Sequence, residues 1–132
     1  MVTVQSSGTS HSLMEFKVIA VSPGEFDQWV EEMQNATADA PADNTVAVEG
    51  QQLFEDNCLA CHAIGANPAL GVGPNLTNFG DRTTVAGIMD FNKENIIKWI
   101  QDPEKYKPGN EMTDNYNVHN DDEADKIAKY LM

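Results

Sequence analysis

The spacing of apolar residues changes along this chain and divides it into zones. From Met14 to Ser22 the run Met-Glu-Phe-Lys-Val-Ile-Ala-Val-Ser is dense in β-branched and aromatic residues and stops at Ser22-Pro23, which predicts a strand. Ser22-Pro23-Gly24-Glu25 then offers a helix N-cap, a proline at the first helical position and an acid at the third. Phe26, Trp29, Val30 and Met33 follow at spacings of three and four, so an amphipathic helix of about three turns is expected. Between Asn35 and Thr45 small and polar residues with one proline leave nothing to bury, the composition of a linker. The organisation expected is therefore a strand and helix in residues 1–34, a linker over 35–45 and a separate domain over 46–132.

In that last zone helical patterns lie at both ends and in the middle. One runs through Gly50, Leu53 and Phe54 into Cys58; another starts near Asn92 and carries Ile96, Ile97, Trp99 and Ile100 until Pro103 stops it; the last has Asn120 as cap, Glu123 three residues on, then Ile127, Ala128, Tyr130 and Leu131. The intervening chain, notably Gly65 to Gly80, is rich in Gly, Pro and Asn. Long irregular loops in a small domain usually wrap something functional.

Composition sharpens this picture. With 132 residues the chain is one ordinary domain, or a small one with an appendage, and its 41% hydrophobic and 8% aromatic content is lean for a core. Eight Lys+Arg against twenty-one Asp+Glu give a net charge of -13, which argues against nucleic acid and anionic membrane surfaces as partners. No run approaches the ~18 apolar residues of a membrane span, and no basic segment followed by an apolar one opens the chain, so neither an anchor nor a signal peptide is expected and the chain as given reads as soluble. Only two cysteines occur, Cys58 and Cys61, too close together to staple a long loop.

Cys58-Leu59-Ala60-Cys61-His62 is a C-x-x-C-H, the attachment signal for a c-type haem. Residues three apart on a helix point the same way, so both sulfurs can add to the two vinyl groups of one porphyrin while the next residue aims its imidazole at the iron. A redox dithiol would need a strand before the first cysteine and a βαβ context, and a helical pattern leads in instead. Zinc would need about four ligands, and beyond this turn only His11 and His119 are on offer. The sixth iron ligand has to come from downstream: Met89, Met112, His119 or Met132. Met112 lies in the polar turn Lys107-Pro108-Gly109-Asn110-Glu111-Met112-Thr113, where a thioether has no helix face to join and wants a pocket, so it is favoured, with His119 next. Met89, beside Val85 and Ile88, and Met132, at the chain end, suit ordinary packing. A His62/Met112 pair raises the haem potential, as suits an electron carrier.

On these residues the zone Val46–Met132 resembles a small class I cytochrome c: a mostly α fold wrapped around a covalent haem. Gly50 and Phe54 look like that family's glycine and aromatic at the crossing with the last helix, with Ile127 and Tyr130 in the matching places. Gly73-Pro74-Asn75-Leu76 is similar to the loop in which the Pro74 carbonyl accepts the N–H of the proximal imidazole, here His62. The resemblance further implies Arg82, the only arginine, and Trp99 as donors to the haem propionates, with Tyr106 and Asn110 as weaker candidates.

The first zone carries a second resemblance. Gly8-Thr9-Ser10-His11-Ser12-Leu13-Met14-Glu15-Phe16, with the strand and helix patterns after it, looks like the C-terminal end of the cupredoxin-like copper domain of cytochrome c oxidase subunit II. His11 and Met14 keep two positions of that family's C-x3-C-x3-H-x2-M ligand pattern, but Ser7 and Thr3 stand in place of the bridging thiolates, so His11 and Met14 are expected to be non-ligands and no copper is expected in this chain. Copper-domain end, linker, cytochrome c is the order of subunit II in caa(3)-type oxidases. The resemblance implies one-electron transfer by haem c toward the copper centre where electrons enter a terminal oxidase, on the extracytoplasmic face of a bacterial membrane, with an upstream donor such as a quinol–cytochrome c reductase. By itself such a domain is not catalytic. A free soluble electron shuttle is the alternative, which has no reason to carry the first zone; a haem sensor or peroxidase-like enzyme would need an open sixth position. The lysine-rich docking face of mitochondrial cytochromes c does not carry over, because the residues from Val46 onward hold seven basic side chains against fourteen acidic ones.

Overall fold

Helix α1 (Pro23–Asn35) starts where the sequence places it, on a capping box: the Ser22 hydroxyl accepts from the Glu25 amide and the Glu25 carboxylate accepts from the Ser22 amide. In this computed structural model the described residues are 13, 17–65, 67, 72–113, 116, 118 and 120–132. Residues 17–22 do not form the strand the composition predicts; they are exposed and no described residue pairs with them, while Met14 to Phe16 lie outside the described residues. A strand exists only through a partner, and β-propensity alone does not supply one. Lys17 nevertheless reaches the body of the molecule, its ammonium donating to the Thr83 hydroxyl at 2.7 Å.

Helices α2 (Thr45–Asn57) and α5 (Asp121–Leu131) cross near Gly50. The caps are local: Asn44 accepts from the Ala47 amide and Asn120 from the Glu123 amide. Buried residues recur at helical spacing on both, Ala47, Gly50 and Phe54 on α2 and Ala124, Ile127 and Ala128 on α5. A Cβ placed on Gly50 would stand 2.0 Å from the Lys126 carbonyl oxygen, so only glycine permits this approach. The Phe54 and Tyr130 rings meet beside it, centroids 5.5 Å apart.

Helix α3 (Lys93–Gln101), capped by Asn92, buries Ile96 and Ile100 and packs on α5. Pro103 ends it as expected and also starts a further one, α4 (Pro103–Tyr106), for which Asp102 is the cap. Proline at the first helical position loses no hydrogen bond, so one residue serves both ends. A hairpin not foreseen from the sequence precedes α3: β1 (Thr84–Val85) pairs antiparallel with β2 (Met89–Asp90), Val85 opposite Met89. Its turn places Ala86 and Gly87 at positive φ, 53° and 79°.

The span read as a linker has no regular structure from Ala36 to Asp43 beyond a turn, yet part of it lies on the helices. The Tyr130 hydroxyl donates to the Ala38 carbonyl at 2.6 Å, and the Ala40 amide donates to the Gln51 side chain at 2.9 Å. Gly65, at φ +52°, leaves room for the Ala38 backbone, which a Cβ there would meet at 2.7 Å. Backbone groups make these contacts, so a tract of small residues can dock without offering any apolar signal.

Burial, followed by the charges of Glu55 and Asp39, pushes the Tyr130 phenol up to about 12. A raised phenol pKa gives stability that is complete below the unfolded value of 10.0 and is lost as pH rises toward about 12. Tyr130→Phe is therefore expected to cost about 1 kcal/mol at neutral pH and to flatten the fall in melting temperature above pH 10.0. Thermal unfolding of both proteins across that range checks it; equal pH dependence would show that the Ala38 contact is not held in solution.

Candidate functional site

The helices, the hairpin and the loops enclose a cavity of about 590 Å³. Its walls are apolar, among them Phe54, Leu76, Val85, Ile96, Ile100 and Ile127. The residues favoured from sequence, Cys58, Cys61, His62, Pro74, Arg82, Trp99 and Met112, line this one cavity.

The Cys58–His62 segment reaches the wall because α2 does not stop cleanly at Asn57. The Cys58 amide donates to the Phe54 carbonyl at 2.7 Å, and the amides of Cys61 and His62 both donate to the Cys58 carbonyl, at 3.0 and 2.9 Å. The chain thus continues as a tight turn with both thiols and the imidazole facing the cavity, while Ala60 is exposed. The His62 Nδ1 lies 2.8 Å from the Pro74 carbonyl oxygen. A carbonyl can only accept, so Nδ1 carries the hydrogen and Nε2 is left with its lone pair. Gly73 makes this possible: a Cβ there would stand 2.7 Å from Cε1 and Nδ1 of the ring. The Gly73 amide donates to the Cys61 carbonyl at 2.9 Å and the Leu76 amide to the Ala63 carbonyl at 2.8 Å, so the Gly73–Leu76 loop is laced to the Cys58–His62 turn on both sides of the proline.

Arg82 is held at the cavity by donating to the Asn75 carbonyl, with its guanidinium over the Phe79 ring, 5.3 Å from the centroid. Burial lowers its pKa, which still leaves an arginine charged. Met112 enters from the loop after α4, its amide donating to the Asn110 side-chain oxygen at 3.0 Å. Asn110 lines the cavity, but its amide group is engaged within the loop, donating to the Lys107 carbonyl and the Thr113 hydroxyl. Tyr106 is absent from the described lining. Among the other methionines, Met89 is partly buried against the core and Met132 is exposed. His119, His11 and Met14 lie outside the described residues.

Sequence reasoning quoted Gly73 and Lys107 within motifs without giving either a role, and did not name Tyr116. Lys107 lines the cavity and its ammonium donates to the Ala86 carbonyl, tying the Met112 loop to the hairpin turn. Tyr116 donates its hydroxyl to the Ile100 carbonyl. A glycine directly before the proline that meets the imidazole was a readable signal; the other two depend on tertiary contact.

The chemistry of this arrangement is selective. Burial, and next the neighbouring Cys61, push the Cys58 thiol up to about 12, the reverse of the lowered pKa that makes a reactive dithiol. Among the described residues no three His, Cys, Asp or Glu side chains converge as a metal site. What converges is two thiols, one imidazole nitrogen, one thioether and an arginine on apolar walls. That set fits a large flat macrocycle with two thiol-reactive substituents, a metal needing axial ligands, and acidic groups at its edge.

The cytochrome c family model matches residues 47–132. The chain belongs to the cytochrome c family. Membership implies a bound haem c, which the cavity and its donor set fit. Cytochrome c of Stellaria longipes is 32% identical over 78 residues, 50% of this chain and 72% of the relative. Cytochrome c oxidase subunit 2 of Bacillus subtilis (strain 168) is 45% identical over 129 residues, 94% of this chain and 36% of the relative, and that of Bacillus sp. (strain PS3) is 43% identical over 129 residues, 95% and 36%. The chain thus spans little more than a third of the length of these oxidase subunits. Their match also takes in the first zone, outside the cytochrome c domain itself. No helix among the described residues is long and apolar enough to cross a membrane.

Gly73→Ala is expected to push the His62 ring off the Pro74 carbonyl and to cost about 1 to 3 kcal/mol. The check is the His62 ring N–H resonance together with thermal unfolding; an unmoved resonance in Gly73→Ala would mean that the loop gives way instead of the ring.

Proposed function

We propose that this chain carries one electron at a time through a covalently bound haem c and passes it toward the copper centre of a terminal cytochrome c oxidase. The observation that carries the reading is the single cavity on which Cys58, Cys61, His62 and Met112 converge, with His62 already oriented by Pro74. When bound, the haem supplies an iron centre with a one-electron couple. The residues of the chain do the rest. Cys58 and Cys61 would hold the porphyrin by thioether bonds, and Nε2 of His62 and the sulfur of Met112 would ligate the iron. The Pro74 carbonyl, by accepting from Nδ1, fixes the tautomer and the orientation of His62. Arg82 and Trp99 meet the propionates, and the apolar walls exclude water. A ligand pair pinned by its own loops changes little between oxidation states, which is what electron transfer requires of the protein.

The assignment to an oxidase rests on the similarity to oxidase subunit 2, which runs through the first zone as well as the cytochrome c domain. We place the domain on the extracytoplasmic face of a bacterial membrane, as part of a membrane-bound oxidase, with a quinol–cytochrome c reductase as the upstream donor class. Joining donor and acceptor in one polypeptide replaces a bimolecular encounter with a high effective concentration. Residues 1–34 belong in this reading to the end of the copper domain, and 46–132 to the cytochrome; the chain holds no copper of its own.

Two measurements test the site. The denatured polypeptide is expected to retain its haem and to weigh one haem more than the apo chain; extraction of the haem by acid-acetone would rule out thioether attachment. Met112→Ala is expected to lower the reduction potential and abolish the far-red sulfur-to-iron absorption of the oxidised protein, while Met89→Ala leaves both nearly intact. The opposite pattern would reassign the sixth ligand.

A further inference from the structure

The loop that carries Met112 is bracketed by one side chain outside it. Glu104, on α4, accepts from the Gly109 amide through both carboxylate oxygens, at 3.1 and 2.9 Å, and from the Thr113 hydroxyl at 3.3 Å. Gly109 stands before Met112 and Thr113 directly after it. Within the bracket Asn110 takes the amides of Met112 and Thr113 on its side-chain oxygen, at 3.0 and 3.1 Å. Glu104 is itself anchored, because the neighbouring Pro103 is buried and its carbonyl accepts from the Lys107 amide at 2.9 Å. Gly109 adopts φ +75°, a left-handed conformation that glycine enters without strain.

Resting on the reading of Met112 as the sixth ligand, we propose that Glu104 is a positioning residue for the Met112 sulfur: its carboxylate clasps both ends of the 109–113 turn and so sets how often the thioether leaves the iron. An exposed glutamate is ordinarily a solvated charge of small energetic value. Here two of the three contacts go to a backbone amide, which cannot swing away as a lysine can, and a charged acceptor strengthens each bond. The consequence is functional. A sixth position that opens rarely admits no outside ligand and keeps the domain to electron transfer; one that opens often takes small ligands and moves toward the chemistry of an open haem.

The experiment is a titration of the oxidised, haem-loaded protein with imidazole, which binds iron only when the methionine has left, followed by loss of the far-red sulfur-to-iron absorption. Glu104→Ala is expected to bind imidazole roughly five- to tenfold more tightly than wild type, with the absorption still present before imidazole is added. Glu104→Gln, which keeps an oxygen for the Gly109 amide, is expected to return to within about twofold, and Thr113→Val, which removes the hydroxyl that bonds both Glu104 and Asn110 but leaves the Gly109 contacts, to shift by roughly two- to threefold. Glu94→Ala, an exposed acid on α3 paired with Lys98, serves as the control and stays at the wild-type value. Wild-type affinity in Glu104→Ala would overturn the proposal while leaving Met112 as ligand. Absence of the far-red absorption in wild type would overturn the Met112 reading and this proposal with it.

Discussion

The close crossing of α2 and α5 at Gly50 is the constraint from which the rest of the molecule follows. A cavity of about 590 Å³ in so short a chain leaves the apolar side chains as a shell around a site, and a shell needs a fixed point where its two ends are joined. That point is the contact of Gly50 with the Lys126 backbone, flanked by the Phe54–Tyr130 ring pair. Polar links reinforce it at the surface: Lys126 pairs with Glu49 on α2 and Asp122 on its own helix, and Lys93 on α3 pairs with Asp125 on α5. Each exposed pair is weak. Because α2 runs straight into the turn at Cys58, its pose on α5 also decides which way the two thiols and His62 face.

From that fixed end the site is built by loops, and loops hold their shape here through backbone bonds. The Gly73–Leu76 loop orients the imidazole, while the Lys107–Thr113 loop presents the thioether and is stitched by Asn110. Lys107 then closes the gap to the hairpin, its ammonium on the carbonyl of Ala86, a residue held at positive φ. Strain at a non-glycine residue of this kind costs of order 1 kcal/mol or more and persists only where neighbours over-determine it. Here the neighbour is the loop that carries Met112, so the hairpin and that loop depend on each other.

Sequence reading succeeded where local chemistry decides. Ser22 and Asn120 cap the helices they were expected to cap, α3 starts from Asn92 as expected, and Gly50 and Phe54 lie at the expected crossing. The C-x-x-C-H signal and Met112 stood out by spacing and setting, Pro74, Arg82 and Trp99 were implied by the resemblance to class I cytochromes c, and all of them line one cavity. It failed where partnership decides. The strand over residues 17–22 has the right residues and no described partner; the hairpin at Thr84 to Asp90 is too short to show a period; and Ala38 docks through its backbone, which no side-chain pattern reveals. Pro103 showed how one signal can carry two meanings, a stop for α3 and a start for α4.

The same contacts bear on how such a domain can meet its partners. Every basic side chain of the chain is engaged inside the molecule: Lys93, Lys98, Lys126 and Lys129 in ion pairs, Lys17 on Thr83, Lys107 on Ala86, Lys105 over the Tyr106 ring and Arg82 on Asn75. With a net charge of -13, attraction to an acidic partner surface would have to draw on cations already engaged within the molecule, half of them by acids. Long-range steering is therefore unfavourable for an acidic target, and encounter by diffusion would be slow. A covalent connection removes that requirement, because it supplies concentration without charge complementarity. Here α1 ends at Asn35 and the chain is bound to Tyr130 at Ala38, leaving only Ala36 and Thr37 between them. So short a span keeps the C-terminal end of α1 close to α5.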